Sequence, residues 1–198
     1  MVSPRQETAI DKESSELLAR CAQEGDQQAL SSLLGRHKDE AYRVALRMTG
    51  CAAQADDIMQ ASLERVLKHL RRYDSSRAFR PWLLRIVINQ CRTHLRGRKL
   101  KMWLWGDRPE PPDYTRRGPD WHLRRKQLRT ELEHALEQLS VGQREAFVLK
   151  HIEGHSYEEI AKITGQSIAA LKVRVHRGRR TLLEILQTAG VTLSPPGE

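Results

Sequence analysis

Apolar residues recur along most of this chain at intervals near 3.6, and no segment alternates convincingly at period two. The pattern predicts an all-α protein. Helices are expected over 16–24, 27–49, 53–73 and 81–98 in the first half, and over 124–139, 141–153, 157–164 and 168–187 in the second. Gly25, Gly50, Gly154 and Gly165 stand where helices should end, and Asp26 and Ser140 are good N-caps. Between 99 and 123 the periodicity fails: KLKMWLWGDRPEPPDYTRRGPDWHL holds four of the eight prolines. It reads as a linker between helical domains at 14–98 and 124–187. Trp103, Trp105 and Trp121 within it are either docked on a domain or waiting for a partner surface.

The last helical third, SYEEIAKITGQSIAALKVRVHRGRRTLLEIL, predicts a helix-turn-helix. Ser156 and Glu159 have the spacing of a capping box, Gly165 suits the tight turn, and Ser167 can cap a second, longer helix. On that helix Ile168, Leu171, Val175, Leu182 and Leu186 would form the buried stripe. The opposite side holds Ala169, Val173, His176, Arg177 and Arg180, flanked by Ala170, Lys172 and Arg174. A charge run is ordinarily a solvated face. Here there are five Lys/Arg and no acid between Lys172 and Arg180, and the outward Ala169, Ala170 and Val173 are short and apolar. Short apolar side chains allow close approach and can pack on thymine methyls, so this helix is expected to enter a DNA major groove.

Charge extends the same argument upstream. The 198 residues carry 34 Lys/Arg against 25 Asp/Glu, a net charge of +9, which favours a polyanionic partner. From Arg71 to Lys101 there are ten Lys/Arg and a single acid, Asp74, together with Tyr73, Phe79, Trp82 and Asn89. Basic residues beside aromatics suit neutralisation of a backbone and stacking on unpaired bases. Phe79 and Trp82 themselves are better read as core anchors, leaving the loop at 74–78 and the exposed side of the following helix for base contact. The helix before it leads with Asp56, Asp57, Gln60 and Glu64 and ends with Arg65, Lys68, Arg71 and Arg72, an order that also suits the helix macrodipole.

Other classes are disfavoured. No apolar run approaches the roughly 20 residues needed to span a bilayer, and the polar, acidic N-terminus is not a secretory signal. Cys21, Cys51 and Cys91 lie far apart without zinc-ligand spacing and read as reduced, mostly buried thiols. An enzyme acting on DNA would need clustered catalytic groups, whereas Asp56 and Asp57, adjacent on a helix, point about 100° apart and suit a metal pair poorly. A free-standing helix-turn-helix regulator would need a ligand or dimerisation domain, for which no pattern appears.

Three blocks in order resemble the extracytoplasmic-function sigma factors of bacteria, the small two-domain initiation subunits of RNA polymerase. QADDIMQASLERVLKHLRRYD is similar to the helix that docks sigma region 2 on the beta-prime clamp helices. FRPWLLRIVINQCRTHLRGRK is similar to the segment that melts and reads the promoter −10 element. LSVGQREAFVLKHIEGHSYEEIAKITGQSIAALKVRVHRGRR is similar to region 4, which binds the −35 element as duplex and contacts the beta flap. The resemblance implies that Asp56, Asp57, Gln60 and Arg65 serve polymerase docking. It places Ser75, Ser76, Arg77, Arg80, Arg85 and Asn89 at the melted −10 strand, and Ala170, Lys172, Val173, Arg174 and Arg177 at the −35 duplex. It further implies a cytoplasmic, non-enzymatic protein without metal, cofactor or small-molecule substrate, restrained by an anti-sigma factor. Two departures stand out. Ala61 replaces a usual Glu in the docking block, and IAALKVR replaces the frequent V-G-T-V-K-S-R of the recognition helix, which implies an altered −35 preference.

Overall fold

A computed structural model describes residues 15–105 and 131–188, and every regular element among them is helical. The first domain consists of α1 (15–23), α2 (Gln27–Thr49), α3 (Ala52–His69) with a 3₁₀ turn at Leu70–Arg72, and α4 (Phe79–Trp105). The second consists of α5 (131–138), α6 (Val141–Phe147) continued by a π-helical turn at Val148–Ile152, α7 (Tyr157–Thr164) and α8 (Ile168–Thr188). Helices α2, α3 and α4 pack on one another, while α6 and α7 pack on α8.

Local chemistry sets the helix ends. Asp26 accepts from the amides of Gln28 and Ala29 at 2.8 and 3.0 Å, satisfying donors that the first turn leaves free. Ser156 and Glu159 close their capping box reciprocally, at 3.1 and 2.8 Å. Gly50 and Gly165 both adopt φ of 73°, a left-handed conformation that ends α2 and α7 at little cost for glycine.

Several elements differ from expectation, among them α3, which ends at His69 in a 3₁₀ turn instead of running on to Tyr73. Helix α4 runs on to Trp105 rather than ending at Arg98, because Lys99 to Trp105 contain no breaker and the first linker proline is Pro109. The side chains of Trp103 and Trp105, all of Trp121, and 106–123 of the proposed linker lie outside the described residues. The helix expected over 141–153 divides, its second part wound as a π turn in which the Glu153 amide donates to Val148. Ile168 is 36% exposed instead of buried, since as the first residue of α8 it has no turn before it to pack under. Gly178 takes the remaining place in the buried stripe, where an added Cβ would sit 3.4 Å from the Gln143 carbonyl oxygen. Of the three free cysteines only Cys91 is buried; Cys21 and Cys51 are half-buried.

The core of the first domain centres on an aromatic group. Phe79 is buried, with ring centroids 5.4–5.6 Å from Trp82, Tyr73 and His37, and so anchors the start of α4 on α2. This core continues without a break into the second domain through Ala146, Leu149, Ile160, Ile163, Leu171 and Val175. A smaller cluster, Ala135, Leu136, Leu139, Val148, Leu182 and Leu186, joins α5 to α8. Phe79→Ala is expected to cost about 3–5 kcal/mol of folding stability, measurable by urea denaturation, because the site is enclosed by rings that cannot collapse into the space.

Candidate nucleic-acid interface

Helix α8 presents two opposed faces. Leu171, Val175, Gly178, Leu182 and Leu186 are buried, while Ala169, Lys172, Val173, His176, Arg177 and Arg180 are exposed. Ala170 and Arg174 flank them, half-buried. Arg174 is held against the start of α6, where a Cβ at Gly142 would lie 2.7 Å from its Nη1. The Lys172 ammonium sits 5.9 Å from the centre of the Tyr157 ring. Ser167 accepts from the Ala170 amide at 3.2 Å and caps the helix. The result is a rigid rod whose solvent side is basic and short-chained, set in place by α7 across the Gly165 turn.

The loop before α4 is ordered by its own side chains. Asp74 Oδ1 accepts from the Ser76 amide at 3.0 Å and the Ser76 hydroxyl at 2.6 Å, and its Oδ2 takes Arg77 Nε at 3.1 Å. These hydrogen bonds, and the neighbouring Arg77, hold the Asp74 carboxyl below its usual pKa. The Tyr73 hydroxyl donates to the Arg77 carbonyl, and Gln23 ties the loop to α1 through the Leu70 and Tyr73 carbonyls at 2.9 and 2.6 Å. Burial pushes the Tyr73 phenol well above its normal pKa. Ser76, Arg77 and Arg85 line a cleft of about 570 Å³ with Trp82 and Tyr73, so Trp82 serves as wall as well as anchor. Asn89 is exposed one turn beyond Arg85, and its Oδ1 accepts from Arg92 at 3.1 Å. Ser75 is half-buried in the loop and does not line the cleft.

On α3, Asp56, Asp57, Gln60 and Glu64 are exposed together with Leu63 and Leu67, the last two 37% and 55% exposed. Arg65 is also exposed but lies about 80° around the helix from Asp57, on the flank of this acidic and apolar face. Leu63 and Leu67 escaped the sequence reading, although an i, i+4 leucine pair among acids was there to be seen.

The Sigma-70 region 2 family matches residues 33–101, and the Sigma-70 region 4 family matches residues 129–182. The RNA polymerase sigma factor CarQ of Myxococcus xanthus is 34% identical over 163 residues, covering 82% of this chain and 92% of its own. NccH, a sigma factor of Alcaligenes xylosoxydans xylosoxydans, is 32% identical over 179 residues, with 89% and 96% covered. This chain is an extracytoplasmic-function sigma factor. Among solved structures, CnrH in complex with the cytosolic domain of CnrY is similar at a TM-score of 0.67 and 28% identity, over 88% of this chain and 98% of that one. The sigma factor thus has the all-α, two-domain organisation of its family and acts as a promoter-specificity subunit of RNA polymerase. No described helix is long and apolar enough to cross a membrane.

In this sigma factor region 4 is packed directly on region 2, and much of the contact is charged. Arg92 makes a bidentate pair with Glu145, both hydrogen bonds 2.7 Å, where Glu145 is only 1% exposed. Arg85 donates to the Lys162 and Ile163 carbonyls at the C-terminal end of α7. Arg80 grips Glu40 through two hydrogen bonds of 2.7 Å and reaches Glu159 at 3.8 Å. Buried His155 brings Nε2 to 3.1 Å from Glu40, and Arg43 pairs with Glu153 at 3.1 Å. Arg144 of α6 donates to the Met48 carbonyl at 2.6 Å. Lys162 of α7 also stands in the wall of the Ser76–Arg85 cleft. Glu40, Glu145, Glu153 and His155 were invisible as a group in the sequence because the partners that tie them together, Arg80, Arg92, Arg43 and Glu40 in turn, lie 40 or more residues away.

Burial raises the pKa of Glu40, but His155 and Arg80 outweigh it and hold the carboxyl at about 2 instead of 4.5. A depressed carboxylate contributes stability that is complete above its unfolded pKa and is lost on protonation. Acidification from pH 4.5 towards 2 is therefore expected to remove this contribution progressively. Thermal melts across that range should show a steeper loss for the wild type than for Glu40→Gln.

Proposed function

We propose that this sigma factor holds polymerase and promoter at separate places on its two domains, the first of which includes the whole of α4 to Trp105. Asp56, Asp57 and Gln60, with Leu63 and Leu67 beside them and Arg65 on the flank, dock region 2 on the beta-prime clamp helices. Acids around exposed leucines suit a protein partner, where the apolar area supplies affinity and the charges supply register. The cleft formed by Ser76, Arg77, Arg85 and Trp82, with Ser75 in the same loop, receives the melted −10 strand, and Arg80 and Asn89 extend that surface along α4. Extruding a base costs a few kcal/mol, which a preformed pocket between packed elements offsets. Lys172, Arg174 and Arg177 take phosphates and guanine edges of the −35 duplex, while Ala170 and Val173 sit against thymine methyls.

The observation that carries this reading is the two-faced α8, basic and short-chained outside and fully packed inside. Region 4 also touches the beta flap in this proposal. The factor performs no catalysis, takes no cofactor, metal or small-molecule substrate, and works in the cytoplasm. An anti-sigma factor restrains it; CnrH, to which this chain is similar, was solved with a protein partner, the cytosolic domain of CnrY.

Run-off transcription with purified core polymerase tests the proposal. The wild-type chain should direct specific initiation; a chain that binds DNA but never engages core would instead be a polymerase-independent regulator. In the same assay Arg177→Ala should cost about 1–3 kcal/mol of −35 affinity if it reads a base, or weaken all sequences alike with a flatter salt slope if it holds a phosphate. Asn89→Ala should leave duplex binding intact and reduce strand opening, as reported by permanganate footprinting.

A further inference from the structure

We propose that the cleft between α4, α6 and α8 binds a condensed phosphate anion, the triphosphate chain, and that this anion bridges region 2 and region 4. The site lies beyond the functions proposed above; only its competition with duplex rests on the −35 reading of Arg174 and Arg177.

With the two domains closed on one another, this cleft has a volume of about 600 Å³, and four arginines line it, two from each domain. Arg92 and Arg96 stand one turn apart on α4, and Arg174 and Arg177 one turn apart on α8, so each pair shares a helix face. Among the described residues Glu145 is the one acid in the wall, and it is fully engaged. Its two oxygens take the fork of Arg92 at 2.7 Å, and Gln166 donates to one of them. Arg96, Arg174 and Arg177 have no carboxylate partner among the described residues. Gly142 makes room for one of them: a Cβ there would lie 2.7 Å from Arg174 Nη1, so this half-buried guanidinium rests against bare backbone at the start of α6. Guanidinium groups cannot relieve their mutual repulsion by losing a proton. A bound anion relieves it.

The lining selects the ligand. A guanidinium fork matches phosphoryl oxygens in pairs, and the forks here come from opposite domains. A single phosphate is too small to meet both walls of a cleft this size, whereas three linked phosphoryl groups offer oxygens to each. No aromatic side chain is among the described lining residues, so a base finds no stacking face. What the cleft recognises is therefore the phosphate chain, free or as the tail of a nucleotide. The same anion occupies Arg174 and Arg177, so anion and −35 duplex exclude each other.

Isothermal titration calorimetry of the full-length chain with sodium tripolyphosphate, at fixed ionic strength and without divalent cations, should show saturable binding of one equivalent. Arg96→Ala, at an exposed position outside the −35 surface, should weaken it about tenfold. Gln143→Glu should weaken it as well by placing a carboxylate in the cleft wall, and glutamate keeps the capping box that Gln143 forms with Ser140. Arg20→Ala, an equal loss of charge at an exposed position outside the cleft, should leave binding unchanged. A nucleoside triphosphate that binds like tripolyphosphate assigns the site to the phosphate chain alone; one that binds more tightly, and is still lost in Arg96→Ala, assigns it to the nucleotide. Absence of saturable binding, or binding that Arg20→Ala weakens as much as Arg96→Ala does, would overturn the site. Saturating tripolyphosphate should also raise the Kd of the wild type for −35 duplex while leaving that of Arg96→Ala unaltered. Should the anion bind as expected yet fail to compete with duplex, the −35 reading of Arg174 and Arg177 falls and the anion site stands.

Discussion

The ion pair between Arg92 and Glu145 is the constraint around which the two domains are arranged. Burying a carboxylate to 1% exposure costs several kcal/mol unless a cation and further donors replace the lost water. Among the described residues, region 4 supplies Gln166, at 3.3 Å from Oε1, and the guanidinium comes from region 2. Once α6 rests on α4, only one register satisfies Glu145. Opening the domains hydrates both partners again, so the pair specifies the closed geometry more than it strengthens it. The strength comes from Ala146, Leu149, Ile160 and Ile163, which join the core of region 2. A tight apolar contact with a charged register is the sort of interface that can be both specific and reversible.

What the sequence disclosed divides along the same line. Elements governed by neighbours within four residues were legible: α2 and α7 have the limits their caps and terminal glycines announce. The exposed face of α8 also follows from helical period alone, with Ile168 the exception because period takes no account of a helix end. The length of α4 was obscured by weighting the prolines of the following stretch over the good helix formers before them. The π turn at Val148–Ile152 has no signature in VLKHI, and the buried His155 that follows it meets Glu40. Membership of the sigma factors was legible from three blocks in order, whereas the packing of one domain on the other was not. Arg43 and Glu153 are 110 residues apart, and nothing local marks them as partners.

The basic stretch from Arg71 to Lys101 shows where composition stops being informative. Counting charge assigns the whole run to a polyanion, yet its members have different employment. Arg77 orders its own loop through Asp74, Arg80 neutralises Glu40, and Arg85 and Arg92 hold region 4. An arginine fork fits carboxylate, carbonyl and phosphate alike. A run of arginines therefore predicts that anionic oxygens will be found there without saying whose they are.

Geometry decides that the closed arrangement cannot be the transcribing one. Promoter elements named for positions −35 and −10 are about 25 base pairs apart, which at roughly 3.4 Å per pair is about 85 Å along straight duplex. A compact chain of this length has a radius of gyration near 16 Å and cannot place one domain on each element. The 25 residues between Trp105 and Glu131 reach at most about 80–90 Å when fully extended, which matches the interval with little to spare. On the proposed division of labour, separation of the domains is then a condition of promoter recognition, and the contacts between Arg92 and Glu145 and between Arg85 and α7 are given up to meet it. In the proposed function, binding of polymerase to region 2 and region 4 at distant points offsets that loss through effective concentration, since each domain, once docked, holds the other near its own site.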